Sequence, residues 1–172
     1  FAYLPRKFKI AISGCTVDRA ATFVHDIGLH AVHNEAGEVG FRVIVGGGLG
    51  RTPMVGHVIN DFLPWPHLLT FLDSILRVYN RYGRRDNKYK ARIKILVKDR
   101  TPEGFRADVD AEWAHAKDGP ATLTQAEVAR IAARFTRPAY ATLEALAPAY
   151  EAALARDTAF AAWARRNVHA HK

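Results

Sequence analysis

The chain has 172 residues, 49% of them hydrophobic, which suffices for one compact domain with an appended segment but not for two full domains. The formal net charge of +8 predicts a surface that attracts phosphates, small oxyanions or carboxylate-bearing cofactors. A single cysteine, Cys15, excludes an internal disulfide and cannot by itself supply the several thiolates of a zinc ribbon or an iron–sulfur cluster.

The first third of the chain is predicted to contain three strands. Large apolar residues alternate with small or polar ones over residues 8–13, as a half-buried strand requires. A brief helical turn is predicted over residues 18–22. Residues 29–34 and 39–46 are two further strands, and they are joined by a short turn in which Gly37 can take the positive φ of a tight hairpin.

The middle of the chain is predicted to be helical. Apolar residues recur at three- and four-residue spacing over residues 68–79, which predicts an amphipathic helix ending near Gly83. Residues 88–98 fit either a strand or a helix, and we favour a helix. Another helix is predicted from Pro102 to about Ala116, since proline is tolerated in a first helical turn.

The last third of the chain is rich in alanine and is predicted to form a helical arm. Thr124 and Glu127 have the spacing of a capping box, and Asp157 is a good N-cap for a second short helix. We expect an α+β domain over residues 1–116, with a small mixed, largely antiparallel sheet covered by helices. Residues 117–172 are then a helical linker toward a second half that this chain lacks.

The ends and the composition lead to two expectations about the whole molecule. The sequence begins without Met and ends at Lys172, so we expect both ends to be cuts in a longer polypeptide. It shows no secretory signal and no apolar run long enough to span a bilayer, so we expect a cytoplasmic protein without membrane contact.

Lys7 and Lys9 are candidate catalytic residues. Side chains alternate along a strand, so both ammonium groups are expected on one face. Two cations held together are unfavourable unless an anion lies between them, which suits capture of a small oxyanion and proton delivery to it. The alternative is an ordinary charged strand edge, where lysines discourage aggregation.

Two further stretches are candidate binding surfaces. The glycine cluster at residues 46–50 permits close approach of a planar or phosphate-bearing ligand, although no helix opens there as a dinucleotide fold requires, and a structural turn is the commoner role. Basic residues are densest over residues 77–100, with tyrosines between them. Such a run is typical of nucleic-acid binding, suits the carboxylates of a modified tetrapyrrole, or forms a solvated helix face.

The remaining candidate ligands predict no metal site in this chain. His30 and His33 are expected on opposite faces of a strand, and His25 is expected to be a structural or surface residue. Cys15 is expected to be a small buried apolar residue.

Several segments, taken together and in order, resemble the sirohaem-dependent sulfite and nitrite reductases. The resemblance covers about residues 3 to 113. The segments are Tyr3-Leu4-Pro5-Arg6-Lys7-Phe8-Lys9, His25-Asp26-Ile27-Gly28, residues 40–50 with their three consecutive glycines, Arg85-Asp86-Asn87-Lys88 and Ala91-Arg92-Ile93-Lys94.

This resemblance implies roles for individual residues. Lys7 and Lys9 bind the oxyanion and relay protons. The residues expected at the cofactor are Arg6, Lys94, Arg92 and Arg85 at its carboxylates, and Gly47 and Gly48 as a close backbone surface. Lys9 favours sulfite over nitrite, because nitrite-specific relatives commonly carry Asn at that position.

The resemblance also implies an activity, cofactors and partners. We expect six-electron reduction of sulfite or nitrite at sirohaem coupled to a 4Fe-4S cluster, whose four cysteines lie outside this chain. Expected partners are the remaining halves of the same polypeptide, the small oxyanion, and ferredoxin or an NADPH flavoprotein, but no nucleic acid. The isolated chain is expected to be inactive. The alternative hypothesis is a non-catalytic basic domain that binds RNA.

Overall fold

The structure is a computed structural model that describes residues 1–136, 138–139 and 147–169. It divides into two compact units, Phe1–Ala132 and Ala133–Lys172. Among the described residues, no helix combines the length and apolar character that a membrane crossing requires.

The first unit is built on a four-stranded sheet in the order β1-β2-β3-β4, namely β1 Ile10–Ser13, β2 Ile27–His33, β3 Val39–Val45 and β4 His57–Pro64. The first two strands pair in parallel and the other two pairings are antiparallel. The predicted α+β class with a mixed, largely antiparallel sheet is therefore confirmed. The predicted hairpin is also confirmed, because Gly37 in the β2–β3 turn has φ 78°.

Three local expectations about the strands and turns were wrong. The first strand starts at Ile10, because the N–H of Lys9 is donated to the Asp26 side chain. The predicted helical turn at 18–22 is replaced by a 3-10 turn at Thr22–Val24. Strand β4 was not expected, because the solvent-facing Asp61 interrupts the apolar alternation and the pairing with β3 contains a β-bulge.

The helices of the first unit follow the sheet in the chain and are α1 Leu68–Tyr82, α2 Ile93–Arg100, α3 Pro102–Ala116 and α4 Gln125–Ala132. The predictions of α1 and α3 are confirmed, and residues 88–98 contain a 3-10 turn at Lys88–Lys90 before α2 instead of one continuous helix. The capping box of α4 is partly formed, since the N–H of Glu127 donates to Oγ1 of Thr124 at 3.2 Å.

The core of the first unit lies between one face of the sheet and helices α1 to α3. Its buried side chains come from three of the strands and from the helices. They are Ile27 and Leu29 of β2, Val43 and Val45 of β3, Ile59 and Leu63 of β4, and Phe71, Ile75, Tyr79, Ile93, Phe105 and Val109 of the helices. Burying each large apolar side chain contributes about 1.5–3 kcal/mol. The core therefore fixes α2 against the strand ends where the glycine cluster lies.

The second unit contains a 3-10 turn at Ala133–Phe135 and the helices α5 Ala147–Arg156 and α6 Thr158–Asn167. The N-cap prediction for α6 is confirmed, because Asp157 accepts a hydrogen bond from the N–H of Phe160 at 2.9 Å. Helix α5 was not expected. The first compact unit continues to Ala132, beyond the predicted boundary at residue 116. One contact within this extension is the hydrogen bond that the N–H of Leu123 donates to the carbonyl of Pro66 at 2.9 Å. A functional boundary at 116/117 stays a prediction.

Candidate functional site

Lys7 and Lys9 lie in the exposed segment that leads into β1. Among the described residues, no hydrogen bond or ion pair engages either ammonium group. Both side chains are thus available to an anion. Because they precede the first residue of β1, strand alternation does not by itself place them on one face.

The backbone of Lys9 is held on both sides by two consecutive residues. Its N–H donates to Oδ2 of Asp26 at 3.0 Å, and its carbonyl accepts from the N–H of Ile27 at 3.1 Å. Asp26 has no exposed surface. One of the two candidate catalytic lysines therefore extends from a backbone that a buried carboxylate fixes.

Arg92 forms a bidentate ion pair with the same buried carboxylate. Its Nε donates to Oδ1 of Asp26 at 2.7 Å and its Nη2 to Oδ2 at 2.5 Å. The hydrogen bond and charge of Asp26 raise the pKa of the Arg92 guanidinium against the opposing effect of burial. Arg92 is thus engaged within the chain.

Lys94 is nearly buried at the start of α2, with 7% of its surface exposed. Its ammonium donates to the carbonyl of Leu49 at 3.3 Å and to the carbonyl of Thr52. Burial lowers the pKa of Lys94, and the charge of Arg92 lowers it further, whereas Asp26 acts in the opposite direction. A charged side chain is thereby placed against the loop that follows the glycine cluster.

The glycines of this cluster meet different neighbours. A Cβ at Gly47 would lie 2.3 Å from the carbonyl oxygen of Phe23 and 2.6 Å from that of His25, so the chain's own backbone occupies that space. A Cβ at Gly48 would lie 3.0 Å from Cδ of Lys94. Gly47 permits close backbone packing, and Gly48 permits close approach of the lysine.

Arg6 and Arg85 both donate hydrogen bonds to backbone carbonyls. Nη1 of Arg6 donates to the carbonyl of Lys88 at 2.5 Å. Nη1 of Arg85 donates to the carbonyl of Tyr3 at 2.8 Å, and its Nη2 donates to the carbonyl and the side-chain oxygen of Asn80, both at 2.8 Å. These arginines tie the amino-terminal segment to the region after α1.

A groove with a volume of about 410 Å³ lies beside Lys94. Its lining includes Gly46 and Val97 and the polar residues Lys98, His57 and Thr101. Lys7, Lys9 and Arg6 do not line it. The structure therefore brings Lys94 and the glycine cluster together at one cavity and attaches the Lys7 and Lys9 segment to the same region through Asp26 and Arg92.

Sequence reasoning missed the two residues that organise this region. Asp26 was recognised only as part of a motif, and Tyr79 only as an apolar position of a helix. The Tyr79 hydroxyl lies 2.6 Å from the carbonyl oxygen of Ala91 and 3.1 Å from that of Arg6. The available signal was the isolated acidic residue before a buried strand, where an unpaired carboxylate is costly.

Two expectations about other residues have an outcome in the structure. Cys15 is exposed and was wrongly expected to be buried, because β1 ends at Ser13 and the next residues form a surface loop. His30 contacts Oγ1 of Thr22 at 2.8 Å, as a structural histidine does. Within the described ranges, no group of three or more His, Cys, Asp or Glu side chains has the arrangement of a metal site.

The fold and the groove define an α+β domain with a groove lined by the basic side chains of Lys94 and Lys98. Residues 1–117 match the family described as "Nitrite and sulphite reductase 4Fe-4S domain". The chain therefore belongs to this family, which confirms the resemblance found in the sequence.

Individual relatives agree with this assignment. The chain is 34% identical over 116 residues to the sulfite reductase [NADPH] hemoprotein beta-component of Actinobacillus pleuropneumoniae serotype 5b, a match that covers 63% of this chain and 20% of the relative. It is 36% identical over 123 residues to sulfite reductase [ferredoxin] 2 of Mycolicibacterium paratuberculosis, covering 70% and 22%. The chain spans about a fifth of the length of the curated relatives it matches.

The fold has a solved counterpart. The structure of the Mycobacterium tuberculosis NirA protein superposes with a TM-score of 0.61 at 34% sequence identity, covering 70% of this chain and 22% of that one. Neither the family match nor these relatives support the alternative of an RNA-binding domain.

Proposed function

We propose that this chain supplies the oxyanion-binding lysines and part of the cofactor surface of an assimilatory sulfite or nitrite reductase. The reaction is the six-electron reduction of the oxyanion at sirohaem, coupled to a 4Fe-4S cluster. The observation that carries the proposal is the connection of Lys9 through Asp26 and Arg92 to the helix that presents Lys94. Lys7, Lys9 and the cationic groove thereby belong to one connected region of the first unit.

The residues present fit a sirohaem chemically. The macrocycle carries many carboxylates, and the groove beside Gly46 is lined by the cationic side chains Lys94 and Lys98. Small-ligand sites typically measure about 300–1,000 Å³, so a groove of about 410 Å³ has room for one edge of a macrocycle. We propose that Lys94 and Gly46 face the cofactor at this groove, and that Gly47 and Gly48, which do not line it, shape the loop beside it through their contacts with Phe23, His25 and Lys94.

The proposed arginine roles follow from their observed partners. Arg6 and Arg85 already donate to backbone carbonyls, and Arg92 donates to Asp26. We propose that Arg6 and Arg85 act mainly by holding the segment that carries Lys7 and Lys9 and keep only their remaining N–H groups for the cofactor.

Lys7 and Lys9 supply positive charge and protons to the substrate. Reduction of sulfite or nitrite consumes protons as oxygen leaves, and an ammonium beside the departing oxygen donates one directly. Sulfite carries more charge than nitrite, so a second cation favours its binding. The presence of Lys9 therefore favours sulfite as the substrate. When bound, sirohaem would pass the electrons of the external donor to the oxyanion.

The rest of the catalytic apparatus comes from outside this chain. A cluster held by four cysteines cannot be ligated by a chain with one, so we propose that its ligands belong to other parts of the same polypeptide. The electron donor is ferredoxin or an NADPH flavoprotein, because relatives of both descriptions match. The cytoplasmic location stays a prediction.

A chimera tests the activity. Residues 1–117 replace the matching segment of the sulfite reductase [ferredoxin] 2 relative, and sirohaem content and sulfite reduction are measured. We expect a sirohaem-loaded enzyme in which Lys9→Ala lowers kcat about 100-fold, as loss of a general acid does. The exposed Lys88 provides the matched control, Lys88→Ala, with unchanged kcat. A folded, loaded chimera in which Lys7→Ala and Lys9→Ala both leave kcat unchanged contradicts the proposal.

Binding to the cofactor is tested on the 172-residue chain itself. Sirohaem is added and its visible absorption spectrum is followed, with Lys94→Met and Lys98→Met as the variants. We expect a spectral shift that both substitutions weaken, because each removes a cation from the groove. A wild-type chain that leaves the spectrum unchanged at saturating protein contradicts the cofactor surface.

A further inference from the structure

We propose that the buried pair of Asp26 and Arg92 positions Lys9, and that Arg92 is therefore a positioning residue and not a cofactor ligand. This inference deepens the proposed function, on which the purpose of the positioning rests. Its structural content concerns only contacts within this chain.

Asp26 uses both carboxylate oxygens. Oδ1 accepts from Nε of Arg92, and Oδ2 accepts from both Nη2 of Arg92 and the N–H of Lys9. The next residue, Ile27, donates its N–H to the carbonyl of Lys9. Both backbone polar groups of Lys9 are thus held by consecutive residues, which leaves its side chain as the free part.

The Asp26 carboxylate occupies the Nε and Nη2 edge of the guanidinium, which leaves the second N–H of Nη2 and the two of Nη1 as its remaining donors. Two of its three nitrogens donate to Asp26, and the side chain is 19% exposed. If Arg92 turned toward a cofactor carboxylate, Asp26 would remain as an unpaired charge with no exposed surface. Leaving one member of a buried ion pair without its partner costs about 3–5 kcal/mol.

A second connection joins the same two segments. The fully buried Tyr79 hydroxyl lies within hydrogen-bond distance of the carbonyls of Arg6 and Ala91, which immediately precede Lys7 and Arg92. Arg6 also donates to the carbonyl of Lys88. The segment that carries the lysines is therefore fixed to the region before α2 at several points.

Positioning of Lys9 explains the presence of the buried Asp26–Arg92 ion pair better than a contribution to stability does. Buried ion pairs often contribute no net stability over apolar residues of similar volume, whereas they do define a geometry. Residues that act on a reacting group must hold it within fractions of an ångström, so a rigid backbone under Lys9 has a direct use.

Hydrogen exchange of the Lys9 amide, measured by NMR on the 172-residue chain without sirohaem, tests the positioning. In Asp26→Asn the Lys9 amide is expected to exchange at least about tenfold faster, because a hydrogen bond to a charged acceptor is weakened. The amides of Ile75 and Val78 in the middle of α1 are expected to keep their protection. Asp86→Asn is the matched control, since it breaks an exposed pair in which Arg84 donates to Asp86 at 2.6 Å.

A second variant keeps the test decisive if Asp26→Asn does not fold. The double variant Asp26→Asn/Arg92→Gln removes both charges and leaves no unpaired buried ion. In this double variant too, the hydrogen exchange of the Lys9 amide is expected to be at least about tenfold faster. An unchanged Lys9 amide in the folded double variant overturns the positioning role.

A sirohaem titration of Arg92→Lys separates this inference from the proposed function. If Arg92 is a direct ligand, Arg92→Lys weakens sirohaem binding to the chain while the Lys9 amide stays protected, and the inference fails. If the wild-type chain binds no sirohaem but the Lys9 amide exchanges faster in Asp26→Asn, the proposed cofactor surface fails and the positioning role stands.

Discussion

Gly48 and Lys94 are in close contact, because a Cβ at Gly48 would lie 3.0 Å from Cδ of the lysine. The lysine side chain can shift by a few tenths of an ångström, so Gly48→Ala is expected to fold with little loss of stability while displacing the Lys94 ammonium. NMR of the lysine side chain in the variant measures that displacement. An unchanged Lys94 environment in Gly48→Ala contradicts the contact.

The neighbouring glycine is predicted to behave differently. In Gly47→Ala the new methyl meets the backbone carbonyls of Phe23 and His25, which cannot move independently. We expect a loss of about 1–3 kcal/mol or more in the free energy of unfolding, measured by urea denaturation. Gly14→Ala is the control, because a Cβ there has no neighbour within 4 Å. Equal stabilities of Gly47→Ala and Gly14→Ala would show that Gly47 does not pack against the carbonyls of Phe23 and His25.

Burial of Lys94 predicts a dependence of stability on pH. Because its pKa is lowered in the folded chain, the unfolded chain binds more protons between that lowered pKa and the ordinary value of 10.5. The free energy of unfolding should therefore gain a contribution that rises with pH across this window. Lys94→Met should remove it, whereas Lys98→Met at an exposed position should not.

Urea denaturation between pH 7 and pH 9.5 measures the slope, below the range in which tyrosine ionisation contributes. Parallel pH profiles for the wild-type chain and Lys94→Met would mean that the ammonium is solvated in the folded state.

Tyr79 predicts an alkaline effect of the opposite sign. Burial raises the pKa of its hydroxyl, and the charge of Asp26 adds to this, whereas a backbone hydrogen bond at Arg6 acts in the opposite direction. The resulting stability is present below the ordinary value of 10.0 and is lost as the pH rises through the raised pKa. Tyr79→Phe should abolish that loss and cost about 1–3 kcal/mol at neutral pH, because buried carbonyls lose their donor.

Phenolate absorbance separates this residue from the other tyrosines. The difference between the titration curves of the wild-type chain and Tyr79→Phe gives the ionisation of Tyr79 alone. The exposed Tyr82 supplies the control, Tyr82→Phe. If the Tyr79 difference curve has its midpoint at or below pH 10, the hydroxyl is not buried as described.

Local patterns predicted the parts of the fold that depend on neighbouring residues. The β2–β3 hairpin needs only a glycine at the turn, and α1 needs only its apolar spacing, so both were predicted correctly. Strand β4 was missed because Asp61 lies between the two buried positions Ile59 and Leu63, where alternation would place an apolar residue.

The organisation of the site was beyond the reach of local patterns. Asp26 and Arg92 are 66 positions apart, and nothing near either residue specifies the other. The burial of Lys94 likewise follows from the packing of α2 against the loop after β3, which only the assembled fold determines. The family resemblance supplied candidate residues but did not reveal that Arg92 is paired internally, whereas the ammonium groups of Lys7 and Lys9 have no partner among the described residues.

The availability of Lys7 and Lys9 predicts weak binding of a free oxyanion to the chain. Each exposed ion pair contributes at most about 1 kcal/mol, so Lys7→Ala and Lys9→Ala should each weaken sulfite binding by about three- to fivefold. The NMR shifts of the lysine side chains during a sulfite titration measure the affinity, and added chloride should reduce it by screening. Lys88→Ala is the control for general positive charge, because Lys88 is also exposed. If Lys88→Ala weakens sulfite binding as much as Lys9→Ala does, the chain attracts the anion only through its net charge of +8, and the two lysines form no specific site.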